Sequence, residues 1–407
     1  MTHVAGTHKH SSVGNAVFLM VKAFIGTGVL FLPKAFSNGG LAGSFILLLI
    51  MALFSMWGMW LLFRTSLAIP GSYQEIVGEL YGQRVKLLFM GSLALCQYGF
   101  VMVYILFVAS NVMDLISTIS ECEYHMDSWA ILITIQLVIY IPLVLIRDIQ
   151  KLTKFAVLGN FLMILGILFV IVNSVVTMFS KPMTFKIFNN LTDTSLFLGT
   201  AIFTYEGFGL VIPISQSMKD PRQFGVVLVS TIAIVSIMYI LIGSLAYAAY
   251  GADIQTVVLL NMPDTIFLKL VQVGYVVAVM LSLPLQFYPA VEILEEPFFS
   301  SDPNELMRSL YRASLTIIAA IGAYFGAQSL DVFVSFIGAF CGMPVSFIYP
   351  PLIYLRACAK TPTQRFGCYF LLTFGIAATI FASTIAFFKL INGEPEFLKD
   401  RCLSTVH

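Results

Sequence analysis

The chain has 407 residues, of which 59% are hydrophobic and only 11% charged, with a mean hydropathy of +0.92 and a formal net charge of +1. An ordinary globular protein carries about 25% charged residues, so the composition is that of a polytopic membrane protein, and the near-neutral balance argues against nucleic acid as a partner. The six cysteines are dispersed with no C-x-x-C pair, which removes zinc-ribbon and thioredoxin-like readings, and no G-x-x-x-x-G-K-[ST] sequence is present to let ATP drive the protein directly.

The opening residues MTHVAGTHKHSS lack an apolar core and a small-residue cleavage site, so no cleavable signal peptide is expected and 1–12 reads as a short cytosolic tail. A spanning helix needs about 20 mostly apolar residues. Eleven stretches qualify: 13–33, 43–67, 86–118, 129–147, 153–179, 194–217, 224–249, 264–290, 307–325, 330–356 and 366–391. The third is long enough to tilt, and Tyr73–Tyr81 reads as a short interfacial helix. The polar gaps 68–85 and 291–306 are too short for a soluble domain, and Glu292 and Glu295 fall in the second of them. Placing the N-terminus in the cytosol collects 14 Lys and Arg on the cytosolic side against 6 opposite, with Lys22 and Lys269 inside segments. The odd span count then puts 392–407 on the lumenal or extracellular side. The sequon Asn190-Leu191-Thr192 falls on that same side, as a candidate glycosylation site.

Two spans carry breaks. The first, NAVFLMVKAFIGTGVLFLPKAF, holds Gly26, Thr27 and Gly28 at its middle and Pro33 after them. Glycine is about 1 kcal/mol worse than alanine inside a helix, and in lipid the backbone groups freed by a break are tolerated only inside protein or beside a water-filled cavity. The N-terminus of the second half would then aim free N–H groups and a positive dipole end at an anion. The sixth span, TSLFLGTAIFTYEGFGLVIPISQSM, repeats the pattern with Glu206, Gly207, Gly209 and Pro213. Five spans separate corresponding elements, so the sixth runs opposite to the first. Paired interrupted spans in matching positions point to an inverted-repeat transporter. Spans 1–5 (13–179) and 6–10 (194–356) form the two repeats, and 366–391 is an added helix.

Five motifs in order resemble the amino acid/auxin permease family, closest to its fungal vacuolar exporters and its animal lysosomal proton-assisted transporters. They are KAFIGTGVLFLPKAFSNGG; Gln97-Tyr98-Gly99-Phe100 with Tyr104 and Asn111; FTYEGFGLVIPISQSMKDP; LPLQFYPAVEILE; and SFIGAFCGMPVSFIYPPLIYL. The resemblance runs from about Val13 to Leu390. It implies an all-α, LeuT-type 5+5 inverted repeat of eleven transmembrane helices with helices 1 and 6 discontinuous. It also implies transport of small neutral amino acids, usually proton-coupled, and residence in a vacuolar or lysosomal membrane, with the plasma membrane as the alternative. By position, Ile25, Gly26, Thr27 and Gly28 would meet the substrate carboxylate, while Phe203, Thr204, Tyr205, Glu206 and Gly207 would line the opposite side. Animal members carry a histidine three residues before the first-span lysine; here that position is Leu19.

Glu206 is the most telling single residue, because a carboxylate deep in a membrane is costly and functional by default. Two roles compete: an ionised receiver of the substrate ammonium, or a group that binds and releases a proton. A structural hydrogen bond that holds the break is the bland alternative. Lys22, one turn before the first break, either snorkels along its stem or forms a structural or gating ion pair. Tyr104 is the preferred pocket wall over Tyr98, and Gln97 is placed to hydrogen-bond a broken helix. Ser282 is a lone hydroxyl in the eighth span and thin support for a sodium site, so protons are preferred to sodium as the coupling ion. Asp331 and Lys269 lie near helix ends. None of the five histidines lies within a span, so proton coupling would use a carboxyl group or the substrate itself. Cys122 and Cys402 share the non-cytosolic side, and their pairing is left open.

The expected function is secondary transport of amino acids by alternating access, with no enzyme chemistry, metal, cofactor or obligatory protein partner. An amino-acid-sensing membrane protein with little net flux is the alternative from another class, and sodium-coupled or exchange transport the alternative within the first.

Overall fold

A computed structural model describes residues 11–120, 128–146, 149–180, 184–295, 298–299 and 305–392. The five histidines, Cys122, Cys402 and the tail beyond 392 lie outside the described residues. The described chain is helical: α1 (Val13–Phe24), α2 (Gly28–Gly39), α3 (Leu41–Ala68), α4 (Tyr73–Tyr81), α5 (Gln83–Ile119), α6 (Trp129–Val144), α7 (Ile149–Ser180) and α8 (Leu191–Thr204). There follow α9 (Phe208–Ser217), α10 (Phe224–Tyr250), α11 (Ile266–Glu295), α12 (Glu305–Gly326), α13 (Leu330–Ile337), α14 (Tyr349–Ala357) and α15 (Pro362–Asn392).

Among the described residues, eight helices are long and apolar enough to cross a membrane, with α8–α9 and α13–α14 each taken as one span. The pair α1–α2, bent by 61° at its break, makes a ninth. Two further helices stand where spans were expected. The first, α6, has only 16 residues, about 24 Å of helix, and the other, α12, carries Arg308 and Arg312 in its opening turns. The outward faces are apolar: Val138, Phe179, Ile266 and Phe325 are all largely exposed, which in a soluble chain would be an aggregation surface and here suits lipid.

The interrupted helices lie at the centre. Nine of the twelve residues of α2 are buried, as expected of a helix apolar all round. Its packing partners are α3, α8 and α10, while α1 leans on α10. A second group places α11 between α5 and α7, with α12 against α5 and α6. The chain ahead of α1 pairs with the end of α9: Ser11 N–H donates to Ser217 O at 2.9 Å, and Lys219 N–H donates to Ser11 O at 3.2 Å.

The tenth expected span is more irregular than its sequence suggests. Between α13 and α14 the backbone takes wider π-type turns over Gly338–Gly342 and Pro344–Ile348. Pro344 has no N–H to give to the preceding turn, a recognised cause of such widening. This segment rests backbone to backbone on α8, since a Cβ on Gly338 would lie 1.9 Å from Gly199 O and one on Gly199 would lie 2.1 Å from Ser335 O.

Glu295 does not sit in a loop. It ends α11, only 2% exposed, and its carboxylate accepts from Arg312 Nε at 2.6 Å, from Arg312 Nη2 at 2.9 Å and from Arg308 Nε at 2.8 Å. Glu292, one turn earlier, is exposed. The next helix supplies the two arginines, so a carboxylate expected in a polar gap becomes the buried clasp between α11 and α12.

Candidate functional site

Ile25 leaves helical geometry at φ −81°, ψ 93°, and α2 restarts at Gly28 after Thr27. The second break is shorter: α8 closes at Thr204, Tyr205 to Gly207 separate the halves, and α9 opens at Phe208. The opening N–H groups of α2 have no preceding turn to bond to, and they carry the positive end of the helix dipole.

The two breaks face one another across a cavity of about 50 Å³ lined by Ala23, Phe24, Gly26, Thr27, Gly28, Phe100, Tyr104, Phe203, Thr204, Glu206 and Gln286. Bringing the helices so close requires glycine at 28, where a Cβ would stand 3.2 Å from both Cα and Oγ1 of Thr204. Gly26 has more room, with the Tyr104 hydroxyl 3.6 Å from the place of a Cβ. Thr27 is 1% exposed, and its hydroxyl has no hydrogen-bond partner among the described residues. A buried hydroxyl left unpaired loses roughly 1–3 kcal/mol, so this one points to an occupant of the cavity.

Glu206 stands on the opposite wall. Its carboxylate is hydrogen-bonded by the Gln97 side chain. Gln97 Oε1 in turn accepts from Gln286 Nε2 at 2.5 Å, so an amide chain from α11 through α5 reaches the sixth-span break. With Oε1 so engaged, Gln97 turns its N–H to the carboxyl group, and it can donate to the anion or to the carbonyl oxygen of the acid.

Of the residues singled out in the sequence, Gly26, Thr27, Gly28, Tyr104, Phe203, Thr204 and Glu206 meet at this cavity, with Gln97 directly behind. Tyr205 does not line it: its hydroxyl bonds Ser236 on α10 at 2.7 Å. Ile25 and Gly207 also lie outside the lining, and Gly207 packs on the Phe24 ring, 2.7 Å from the place of its Cβ. Lys22 is half-buried in the last turn of α1, where a cation suits the helix dipole, and it makes no ion pair among the described residues. Tyr98 turns away to donate to Leu315 O, while Ser282 gives its hydroxyl to Ala278 O within its own helix. Asn190 is exposed and caps α8, its Oδ1 accepting from Asp193 N at 2.7 Å.

Ala23, Phe24, Phe100 and Gln286 complete the lining without having been singled out. Gln286 is a lone amide in LPLQFYPAVEILE, a visible signal in an apolar span. Phe24 and Phe100 lie within the motifs that carry the family resemblance but have no chemistry of their own to mark them, since aromatics in membrane helices are mostly packing.

Residues 9–392 match the family described as transmembrane amino acid transporter protein, and the chain belongs to that family. It is 38% identical over 389 residues to vacuolar amino acid transporter 3 of Schizosaccharomyces pombe, covering 94% of this chain and 59% of that protein. Vacuolar amino acid transporter 3 of Saccharomyces cerevisiae is 39% identical over 399 residues, covering 93% and 57%. Vacuolar amino acid transporter 4 of the same yeast is 34% identical over 412 residues, covering 92% and 58%. The chain thus spans less than two thirds of the length of each of these relatives.

Proposed function

We propose that the chain is a secondary transporter of small neutral amino acids, resident in the vacuolar membrane, that works by alternating access and couples transport to protons. The carrying observation is the cavity between the two breaks, with a restarting helix N-terminus and the unpaired Thr27 hydroxyl on one wall and Glu206 on the other. That polarity matches a zwitterion. The carboxylate lies against the opening N–H groups of α2 and the Thr27 hydroxyl, and the ammonium faces Glu206 and the end of α8. A cavity of about 50 Å³ has room for only a few water-sized groups, which favours a small side chain. The vacuolar assignment rests on the names of the yeast relatives.

The full proposal takes the eleven helical segments as eleven spans in a LeuT-type 5+5 inverted repeat, with α1–α2 and α8–α9 as the discontinuous first and sixth. The N-terminus is cytosolic and the C-terminus lumenal. Glu206 carries the coupled proton: a carboxylate at membrane depth is costly as an ion, and the Gln97 amide serves both its forms.

The test is uptake of labelled alanine, proline and leucine into proteoliposomes, with and without an inside-negative, outside-acid gradient. Wild type should accumulate substrate only with the gradient, and Glu206→Gln should keep exchange but lose accumulation. Loss of exchange as well would overturn the coupling role and leave Glu206 its place against the substrate ammonium alone. No flux of any amino acid by wild type would favour a sensing role.

A further inference from the structure

One buried side chain outside the cavity touches both breaks. Tyr239, in the middle of α10, is 0% exposed. Its hydroxyl donates to Phe24 O at 2.7 Å and to Thr204 O at 3.0 Å. Phe24 is the last residue of α1 and Thr204 the last of α8. The phenol hydrogen therefore sits between the carboxyl ends of the first halves of both interrupted helices. The ring is fixed from the side by Tyr205, whose centroid is 5.3 Å away at 63°, and the Tyr205 hydroxyl is held by Ser236 one turn earlier on α10.

Two helix carboxyl ends pointing at one spot make a negative electrostatic focus, because their last carbonyls lack a following turn and carry the negative dipole ends. Such ends in discontinuous helices are places where a coupling cation binds. Here the positive end of an O–H bond fills that spot, shared between two carbonyls as a three-centre hydrogen bond. A phenol on a buried helix is permanent, whereas a cation must be recruited from solution in each cycle.

We propose that Tyr239 is a positioning residue for transport, its phenol hydrogen standing in place of a bridging metal cation between the ends of α1 and α8, so that the site is held in register without sodium. Tyr239 does not itself line the cavity. It acts through Phe24 and Thr204, which do line it, by fixing the separation of the two walls.

The experiment compares wild type, Tyr239→Phe and Tyr239→Ser, purified in detergent and in proteoliposomes, in sodium, lithium or choline chloride at equal ionic strength. The first readout is thermal unfolding, which needs no transport. Wild type should unfold at the same temperature in all three salts. Tyr239→Phe keeps the ring against Tyr205 and loses the donor, so it should unfold earlier, equally in every salt. Tyr239→Ser opens space beside the two carbonyls, so sodium or lithium should raise its unfolding temperature over choline. The second readout, amino-acid uptake, rests on the transport reading above. Wild-type uptake should be sodium-independent, the KM of Tyr239→Phe should rise about tenfold, as expected when buried carbonyls lose their donor, and sodium should partly restore Tyr239→Ser. An unfolding temperature of wild type that rises with sodium, or a Tyr239→Phe protein as stable as wild type, overturns the proposal. So does a Tyr239→Ser protein that unfolds alike in all three salts. Absence of uptake by wild type would sink the transport reading alone, because the salt dependence of Tyr239→Ser still decides the role of Tyr239.

Discussion

Gly28 is the tightest point of the site. A Cβ there would meet the Thr204 backbone at 3.2 Å and the Phe203 ring at 3.4 Å, and backbone cannot step aside as a flexible side-chain tip can. Overpacking of this kind costs about 1–3 kcal/mol. Gly28→Ala should therefore push the two walls apart, and the uptake KM should rise about tenfold with a modest loss of thermal stability. Gly26→Ala is the contrast. Its Cβ would make an ordinary 3.6 Å contact with the Tyr104 hydroxyl, so the protein should stay stable while the preference among labelled glycine, alanine and leucine shifts to the smaller substrates. Away from the spans, Glu75 receives the Ser72 backbone N–H at 2.8 Å at the start of α4. This bond, first among its causes, holds the Glu75 carboxyl below its ordinary value. A lowered folded-state pKa adds stability above the unfolded value and loses it as pH falls through the folded one. Proteolysis or exchange at α4 should thus increase only below the usual carboxylate range, and Glu75→Gln should remove that dependence.

At the scale of elements, the joints between helices are unequal. The α11–α12 hairpin closes on Glu295, where Arg312 is 5% exposed and Arg308 is 31% exposed. Removing one partner of a buried pair costs about 3–5 kcal/mol, because the other charge is left buried and unpaired. Arg312→Met should lower the unfolding temperature sharply and Arg308→Met much less, as measured on purified protein. The start of α1 and the end of α9 are joined by the Ser11–Met218 backbone pairing; extended segments paired this way lie about 4.8 Å apart, inside the Cα range of a disulfide. If that end must open in the transport cycle, the Ser11→Cys/Met218→Cys protein should lose uptake on oxidation and recover it on reduction. The Gly199–Gly338 contact is the opposite case. There backbone meets backbone within 1.9 Å of a Cβ position, which leaves no room for a side chain at either glycine.

Over the whole molecule, the interrupted helices are surrounded by straighter ones, and the arrangement follows from where polar backbone can be placed in lipid. A break is admissible only where neighbours or a cavity satisfy it. Both breaks of this chain lie against each other, with α5, α10 and α11 around them. Much of this was legible in local chemistry. Residue composition marked a membrane protein, apolar runs located the helices, and Gly26–Gly28 and Glu206–Gly209 located the breaks, because glycine and charge are locally unfavourable in a lipid-buried helix wherever they occur. Glu206 could be singled out for the same reason, whereas Thr27 was marked by its flanking glycines and the family resemblance, and Tyr104 by its place near the middle of the third expected span. Other features were beyond local chemistry. Tyr239 and Phe24 look like packing in sequence, Tyr205 looks like a cavity wall, and Glu295 looks like a loop carboxylate. Their roles depend on which helix lies opposite, since a hydroxyl or carboxylate acquires its partner across a helix interface, 215 positions away for Tyr239 and Phe24. Periodicity and composition determine that a helix exists and which residues it tolerates; only the packing of α10 against the two breaks, and of α12 against α11, decides what those residues hold.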